Sequence, residues 1–137
     1  HQKILFETGR IKPNIISLNS NSSLTTAISN DINYNNIFSE QLKYNSKADD
    51  ILIVLSCSGN SLNIVNALNF AKKKRIITIS FTGFTGGKAK KLSDYNLHVP
   101  CDNYGIVEAV HHSFMNIISQ YIKHNLYSSN EIKKIIF

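Results

Sequence analysis

Ser56, Ser58 and Ser61 fall within one short stretch, LSCSGNS (residues 55–61), directly after the apolar run Ile51-Leu52-Ile53-Val54. Three hydroxyls and a glycine between a strand and a helix start are the parts of an anion cradle. The hydroxyls donate hydrogen bonds, Gly59 lets the backbone approach closely, and the free amides of the helix's first turn attract negative charge. The same residues also suit a plain turn in which Ser61 caps the helix and no ligand binds. A second loop, TGFTGG (82–87), ends the next strand-like run. It reads either as the neighbouring wall of such a cradle or as an ordinary turn.

The elements that must position these loops alternate along the chain. Strands are expected at Asn14 to Leu18, Ile51 to Leu55, Arg75 to Phe81 and Tyr95 to Pro100. Helices are expected at Ser22 to Ile28 and Tyr34 to Tyr44, around a kink at Asn30-Asp31, then at Leu62 to Lys73 and Lys88 to Leu92. Leu62 to Lys73 carries an apolar stripe of Ile64, Val65, Ala67, Leu68 and Ala71 at helical spacing. The longest helix, Ile106 to Asn125, is expected to turn Val107, Val110, Phe114, Ile117, Ile118 and Tyr121 inward. Such alternation implies an α/β fold: a three-layer α/β/α sandwich around a parallel sheet. Strands of that kind are buried on both faces, and ILIVL is apolar throughout as that requires. Ligands in such sheets sit beyond the carboxyl ends of the strands, where LSCSGNS lies. The tail, Ser128 to Phe137, reads either as a last amphipathic helix or as an oligomer contact.

Composition bounds the rest. The chain has 137 residues, 42% hydrophobic and 18% charged, the size and balance of a single globular domain. No apolar run approaches the roughly 20 residues that span a bilayer, and no signal-peptide pattern opens the chain, so a cytoplasmic protein without a membrane partner is expected. Cys57 and Cys101 lack zinc-type spacing and read as free thiols. The net charge of +6 reads either as a preference for an anionic partner or, more commonly, as a solvated basic surface. Its densest run, Lys72 to Arg75, ends a helix, where cations suit the dipole. Without interleaved aromatics or a helix-turn-helix pattern, nucleic acid is not expected as a partner.

SCSGNS after an apolar strand, then TGFTGGKAKKLSD, HVP and a helix beginning VEAVHH, together resemble the sugar isomerase (SIS) domain. Within that group the chain is most similar to the phosphoheptose isomerases, which convert sedoheptulose 7-phosphate to a heptose 7-phosphate. The resemblance runs from about His1 to Lys123. It implies a flavodoxin-like or Rossmann-like fold and a phosphorylated sugar held by Ser56, Ser58 and Ser61. Cys57 stands where these enzymes often have threonine or serine. Asn30-Asp31 matches an N-D pair whose aspartate lies in the substrate site. The resemblance also implies a homo-oligomer, tetramer or dimer; no cofactor is expected, and the residues themselves suggest no metal. Members of the family begin with a helix, a strand and a G-N-G-G-S loop, then a helix carrying an acidic residue. This chain opens with HQKILFETGR, which resembles the stretch beyond that helix. It is therefore expected to be the C-terminal portion of one SIS domain spanning residues 1–137.

Isomerisation of a ketose to an aldose passes a proton between adjacent carbons through an enediol, which needs an acid and a base in reach of both. In the resembled enzymes the long helix supplies a glutamine and, two turns on, a histidine. Glu108 falls at the first position and Asn116 at the second. Asparagine does not exchange a proton near neutral pH. Glu108, His112 and Asn116 nevertheless follow i, i+4, i+8 spacing on one helical face. His112 is the substitute this suggests, since imidazole titrates near neutrality. The other reading leaves His111 and His112 on a half-exposed helix face. Neither adjacent histidines nor Glu108 make a recognised metal-ligand set. Besides an isomerase, the chain reads as a SIS domain that binds a sugar phosphate without turning it over, or one that oligomerises in a regulatory role.

Overall fold

Aliphatic and β-branched runs form three strands in a computed structural model that describes residues 14–134. They are β1 (Ile51–Ser56), β2 (Ile77–Thr82) and β3 (Tyr95–His98). All pair in parallel in the order β1-β2-β3. Ser56 stands beside Thr82, and Thr82 beside His98, so the three carboxyl ends are level. The helices of this part of the chain are α1 (Ser22–Asp31), α2 (Ile37–Asn45), α3 (Leu62–Lys73) and α4 (Gly87–Leu92), with a 3-10 turn at Tyr34–Asn36. Helix α5 (Tyr104–Leu126) and the one-turn α6 (Ser129–Ile132) follow. The described residues divide into two units, a larger one of Leu18–His111 and a smaller one of 14–17 with 112–134.

In the larger unit, Leu52 and Val54 of β1 pack against Leu42, Ala67, Leu68 and Ala71 to form the core of one sheet face. The other face takes the first two turns of α5. Val107 is wholly buried there, and the His111 ring meets Phe81 edge-on at 5.8 Å. Helices thus flank a parallel sheet on both sides, as the alternation of elements predicts. The second face is not closed, however. Ile51, Ile53 and Leu55 of β1 and Ile77 of β2 remain exposed, Ile53 by 54%. The expectation that ILIVL is buried on both faces is therefore corrected. Its alternate side chains have no cover among the described residues.

Helix α3 shows how the chain turns into β2. Lys72 and Lys73 occupy its last turn, where cations meet the negative end of the dipole. Arg75 then adopts a left-handed conformation (φ 58°), and the Ile76 amide donates back to the Ala71 carbonyl at 3.0 Å, a left-handed helix stop. Hence β2 begins at Ile77 rather than at Arg75.

Three further expectations are corrected. Asn14 to Leu18 is not a strand: residues 14–17 have no regular structure and Leu18 lies in a turn. The run has strand propensity, but no described strand pairs with it, and a strand needs a partner for its backbone groups. The helix break does not fall at Asn30-Asp31, because α1 runs through both; it comes at Ile32-Asn33, where Asn33 Oδ1 accepts from the Asn35 amide at 2.7 Å. Of the stripe expected to face inward on α5, Val107 is buried, whereas Ile117 and Tyr121 are exposed. Those two belong to the smaller unit, whose described residues, 14–17 and 112–134, leave them uncovered. The tail forms α6, opened by Ser128, whose amide and hydroxyl both donate to the Glu131 carboxylate. The opening HQKILFETGR, and the last residues of the tail, lie outside the described residues.

Candidate functional site

LSCSGNS leaves the end of β1 and enters α3 at Leu62. Gly59 makes the turn possible. Its φ is +65°, and a Cβ there would lie 2.0 Å from the Gly86 carbonyl oxygen. Gly87 answers from the other loop, with φ +53° and a Cβ position 2.4 Å from the Ser58 carbonyl oxygen. The two loops are therefore interlocked backbone against backbone. Hydrogen bonds hold them so: Gly83 N–H donates to Cys57 O at 2.7 Å, Lys88 N–H to Asn60 Oδ1 at 3.1 Å and Ala89 N–H to Gly59 O at 2.9 Å. The first amides of α4 are thus occupied by the serine loop itself. TGFTGG is therefore more than an ordinary turn: it clamps the LSCSGNS loop from the side, as a neighbouring wall would.

The serines are less occupied. Ser61 stands at the N-cap of α3, yet its hydroxyl makes no capping bond. Ser58 Oγ accepts only the Asn60 amide, at 3.3 Å. An N-cap serine normally accepts a first-turn amide; here the Ile64 amide donates instead to Asn63 Oδ1 at 2.8 Å, which leaves the Ser61 hydroxyl and the amides of Leu62 and Asn63 at the helix start for another acceptor. Ser56, Cys57, Ser58 and Ser61 all line one cavity of about 390 Å³, and Glu108 and Tyr104 from the first turns of α5 line it too. The cavity is built wholly from the larger unit.

Glu108 enters on the Cys57 side, with Oε1 4.0 Å from Cys57 Sγ. Burial, and then the facing Glu108 carboxylate, push the Cys57 thiol above its ordinary value. The thiol is consequently held protonated and turned toward an anion. Both Cys57 and Cys101 are free. Serine donors and a carboxylate in one cavity can bind an oxyanion and exchange a proton with what it carries.

The structure gathers Ser56, Cys57, Ser58, Ser61 and Glu108 from among the residues expected in a site. Asn30 and Asp31 end α1, exposed, and do not line this cavity. His112 and Asn116 are exposed on the later part of α5, in the smaller unit. His111 is not half-exposed: it is buried to 2%, and its Nε2 finds no hydrogen-bond partner among the described residues. Sequence reasoning missed Tyr104. Its position one turn before Glu108, at i and i+4, is the signal that would have found it.

A serine-lined cavity at the carboxyl end of β1, in a parallel sheet flanked by helices, is the place where α/β sheets of this class hold ligands. The chain belongs to the SIS domain family, whose model matches residues 4–83. Among similar proteins, the phosphoheptose isomerase of Sulfurimonas denitrificans is 40% identical over 112 residues, 82% of this chain and 57% of that protein. The phosphoheptose isomerase of Aneurinibacillus thermoaerophilus is 38% identical over the same shares. The chain thus spans little more than half the length of these relatives. Among solved structures, a phosphoheptose isomerase from Neisseria gonorrhoeae superposes with a TM-score of 0.76 at 30% identity, covering 78% of this chain and 61% of that one. One from Francisella tularensis gives 0.74 at 32% identity, with 84% and 64% covered.

Proposed function

We propose that this chain carries the phosphate cradle and one proton-transfer group of a sugar-phosphate isomerase of the phosphoheptose type, acting on sedoheptulose 7-phosphate. The observation that carries the reading is the meeting of three loop serines and the Glu108 carboxylate in one cavity. Relatives named phosphoheptose isomerase support it at 38–40% identity.

In this reading the hydroxyls of Ser56, Ser58 and Ser61 and the amides of Leu62 and Asn63 at the start of α3 hold the phosphate and so fix the far end of the sugar. Glu108 takes a proton from C1 of the ketose, and the electron pair left behind forms the enediol with C2. Returning the proton to C2, while O1 loses its proton and O2 gains one, leaves the aldehyde at C1. The oxidation at C1 and the reduction at C2 balance within the substrate. Cys57, neutral beside Glu108, gives the carboxylate a weak hydrogen bond without competing for its charge. His112 is the group that the sequence spacing offers for the hydroxyl protons. Asn30, Asp31 and Asn116 are substrate-contacting residues by the family resemblance alone. The same resemblance implies a homo-oligomer, a tetramer or dimer, which the exposed apolar side chains of β1 suit; a cytoplasmic location is part of the proposal.

One residue favours a second reading. Asn116 cannot move a proton where the resembled enzymes place a histidine, which suits a regulator that binds the sugar phosphate without turnover. Calorimetric titration with sedoheptulose 7-phosphate, with an assay of the same sample for aldose product, separates the two. Binding and product that Glu108→Gln abolishes and Ser58→Ala weakens support the isomerase. Binding without product supports the regulator, and no binding overturns both.

A further inference from the structure

The TGFTGG loop does more than clamp the cradle. At its second step it places Phe84, a bulky residue, in the left-handed region at φ 49°. Side chains of that size rarely adopt this conformation, and they keep it where surrounding contacts fix it. The contacts here are specific. Gly83 lies so close to Val107 that a Cβ would fall 2.6 Å from both its methyls. The Phe84 amide donates to the Cys101 carbonyl at 3.1 Å, and the Gly86 amide to the Gly83 carbonyl at 2.7 Å. The loop is thereby seated on the start of α5, and the Phe84 ring lies against Tyr104 with centroids 4.7 Å apart and planes at 55°.

Tyr104 is what this arrangement holds in place. It lines the same cavity as the serines and Glu108, stands one turn before Glu108 on the same helix face, and is 58% exposed. An aromatic ring braced from behind and open in front offers a flat apolar surface with a hydroxyl at its rim. A ligand that consists of phosphate alone needs only the serines. One that carries a carbon chain from the phosphate toward Glu108 has C–H groups to lay against a ring.

We propose that Tyr104 is a specificity-determining residue of this site: its ring, braced by Phe84, is the platform for the carbon chain of a bound sugar phosphate. The proposal rests on the reading of the serine loop as a phosphate cradle and adds the selection of long-chain polyol phosphates over small anions. Burying two CH groups against the ring corresponds to roughly tenfold in affinity. Tyr104 recognises the chain and takes no part in proton transfer.

The test is calorimetric, with inorganic phosphate and sedoheptulose 7-phosphate as separate probes against the wild-type chain and the variants Tyr104→Ala, Tyr104→Phe, Phe84→Gly and Ser58→Ala. Tyr104→Ala is expected to weaken the sugar phosphate about tenfold and to leave inorganic phosphate unchanged. Tyr104→Phe should keep most of the difference between the two probes. Phe84→Gly suits the left-handed backbone and so removes the brace without threatening the fold; it should lower the sugar phosphate's advantage while thermal melting stays at or above wild type. Unchanged sugar-phosphate affinity in Tyr104→Ala, or equal loss for both probes, overturns the platform and leaves the cradle standing. Failure of wild type to bind inorganic phosphate, or no effect of Ser58→Ala on it, overturns the cradle and the platform with it.

Discussion

The Cys57 thiol faces the Glu108 carboxylate at 4.0 Å, so the loop that offers hydroxyls to an anion also holds a neutral hydrogen donor against the carboxylate of the same cavity. Burial and that carboxylate both raise the thiol's titration. A raised acid group favours the folded state below its unfolded value and loses that contribution as pH rises through the folded value. Alkylation of Cys57 by iodoacetamide, followed against pH, should therefore set in at higher pH than for an ordinary thiol. Glu108→Gln should shift the onset downward but only part of the way, because burial is the larger cause. An unmoved onset would mean that the two groups do not interact electrostatically.

Ser61 separates binding from stability. At a working N-cap, serine to alanine costs about 1 kcal/mol. The Ser61 hydroxyl makes no capping bond, so Ser61→Ala should change unfolding free energy by less than about 0.5 kcal/mol, the usual range for unremarkable surface positions. If the hydroxyl instead binds phosphate, its loss should weaken that ligand by about tenfold or more, as for a hydrogen bond to a charged group. Denaturant melts and phosphate titrations of one variant check both halves.

Two glycines should respond oppositely to alanine. At Gly59 a methyl would sit 2.0 Å from the Gly86 oxygen, with φ positive as well. Gly59→Ala should cost several kcal/mol, on the order of 3 or more, because both strain and a backbone clash oppose it. At Gly105, in the first turn of α5, the nearest atom to a Cβ is Asn103 Oδ1 at 3.5 Å, an ordinary contact. Gly105→Ala should stabilise by about 0.4–1 kcal/mol. Equal effects in chemical denaturation would contradict the interlock of the loops.

Asp94 sets part of the acid limb of stability. Its Oδ2 accepts from the Thr78 hydroxyl at 2.7 Å and the Thr78 amide at 2.8 Å, and these bonds hold its carboxyl below the usual range. A lowered carboxyl contributes stability that is present above its unfolded value and lost as pH falls through the folded one. Asp94→Asn should accordingly flatten the fall in melting temperature below about pH 4. An unchanged acid limb would show that the exchange with Thr78 does not favour the ionised form.

What could be read from the residues followed local chemistry. The stripe of α3, the apolar run of β1 and the serine turn between them each declare themselves within a few positions. What could not be read was set by neighbours. Asn14 to Leu18 has the composition of a strand, but pairing is a property of two segments. Ile51, Ile53 and Leu55 are as apolar as Leu52 and Val54, and only the packing of α3 distinguishes the covered side from the bare one. Serines and Glu108 could each be proposed for a site from their types and from resemblance. The contact of Glu108 with Cys57, the burial of His111 against Phe81 and the bracing of Tyr104 by Phe84 join residues 20 to 51 positions apart, which no local spacing predicts.

The interlock of Gly59 with Gly86 and Gly87 also ties the histories of the two loops together. A side chain at Gly59 or at Gly87 would meet the backbone of the other loop, so neither position can change unless that loop yields with it. Diversification of ligand preference is thereby channelled away from the loop backbones and toward residues that surround them, such as Phe84, Tyr104 and Glu108. A library built to change what the cavity accepts should keep the four loop glycines 59, 83, 86 and 87 fixed and leave Gly105 of α5 free to vary.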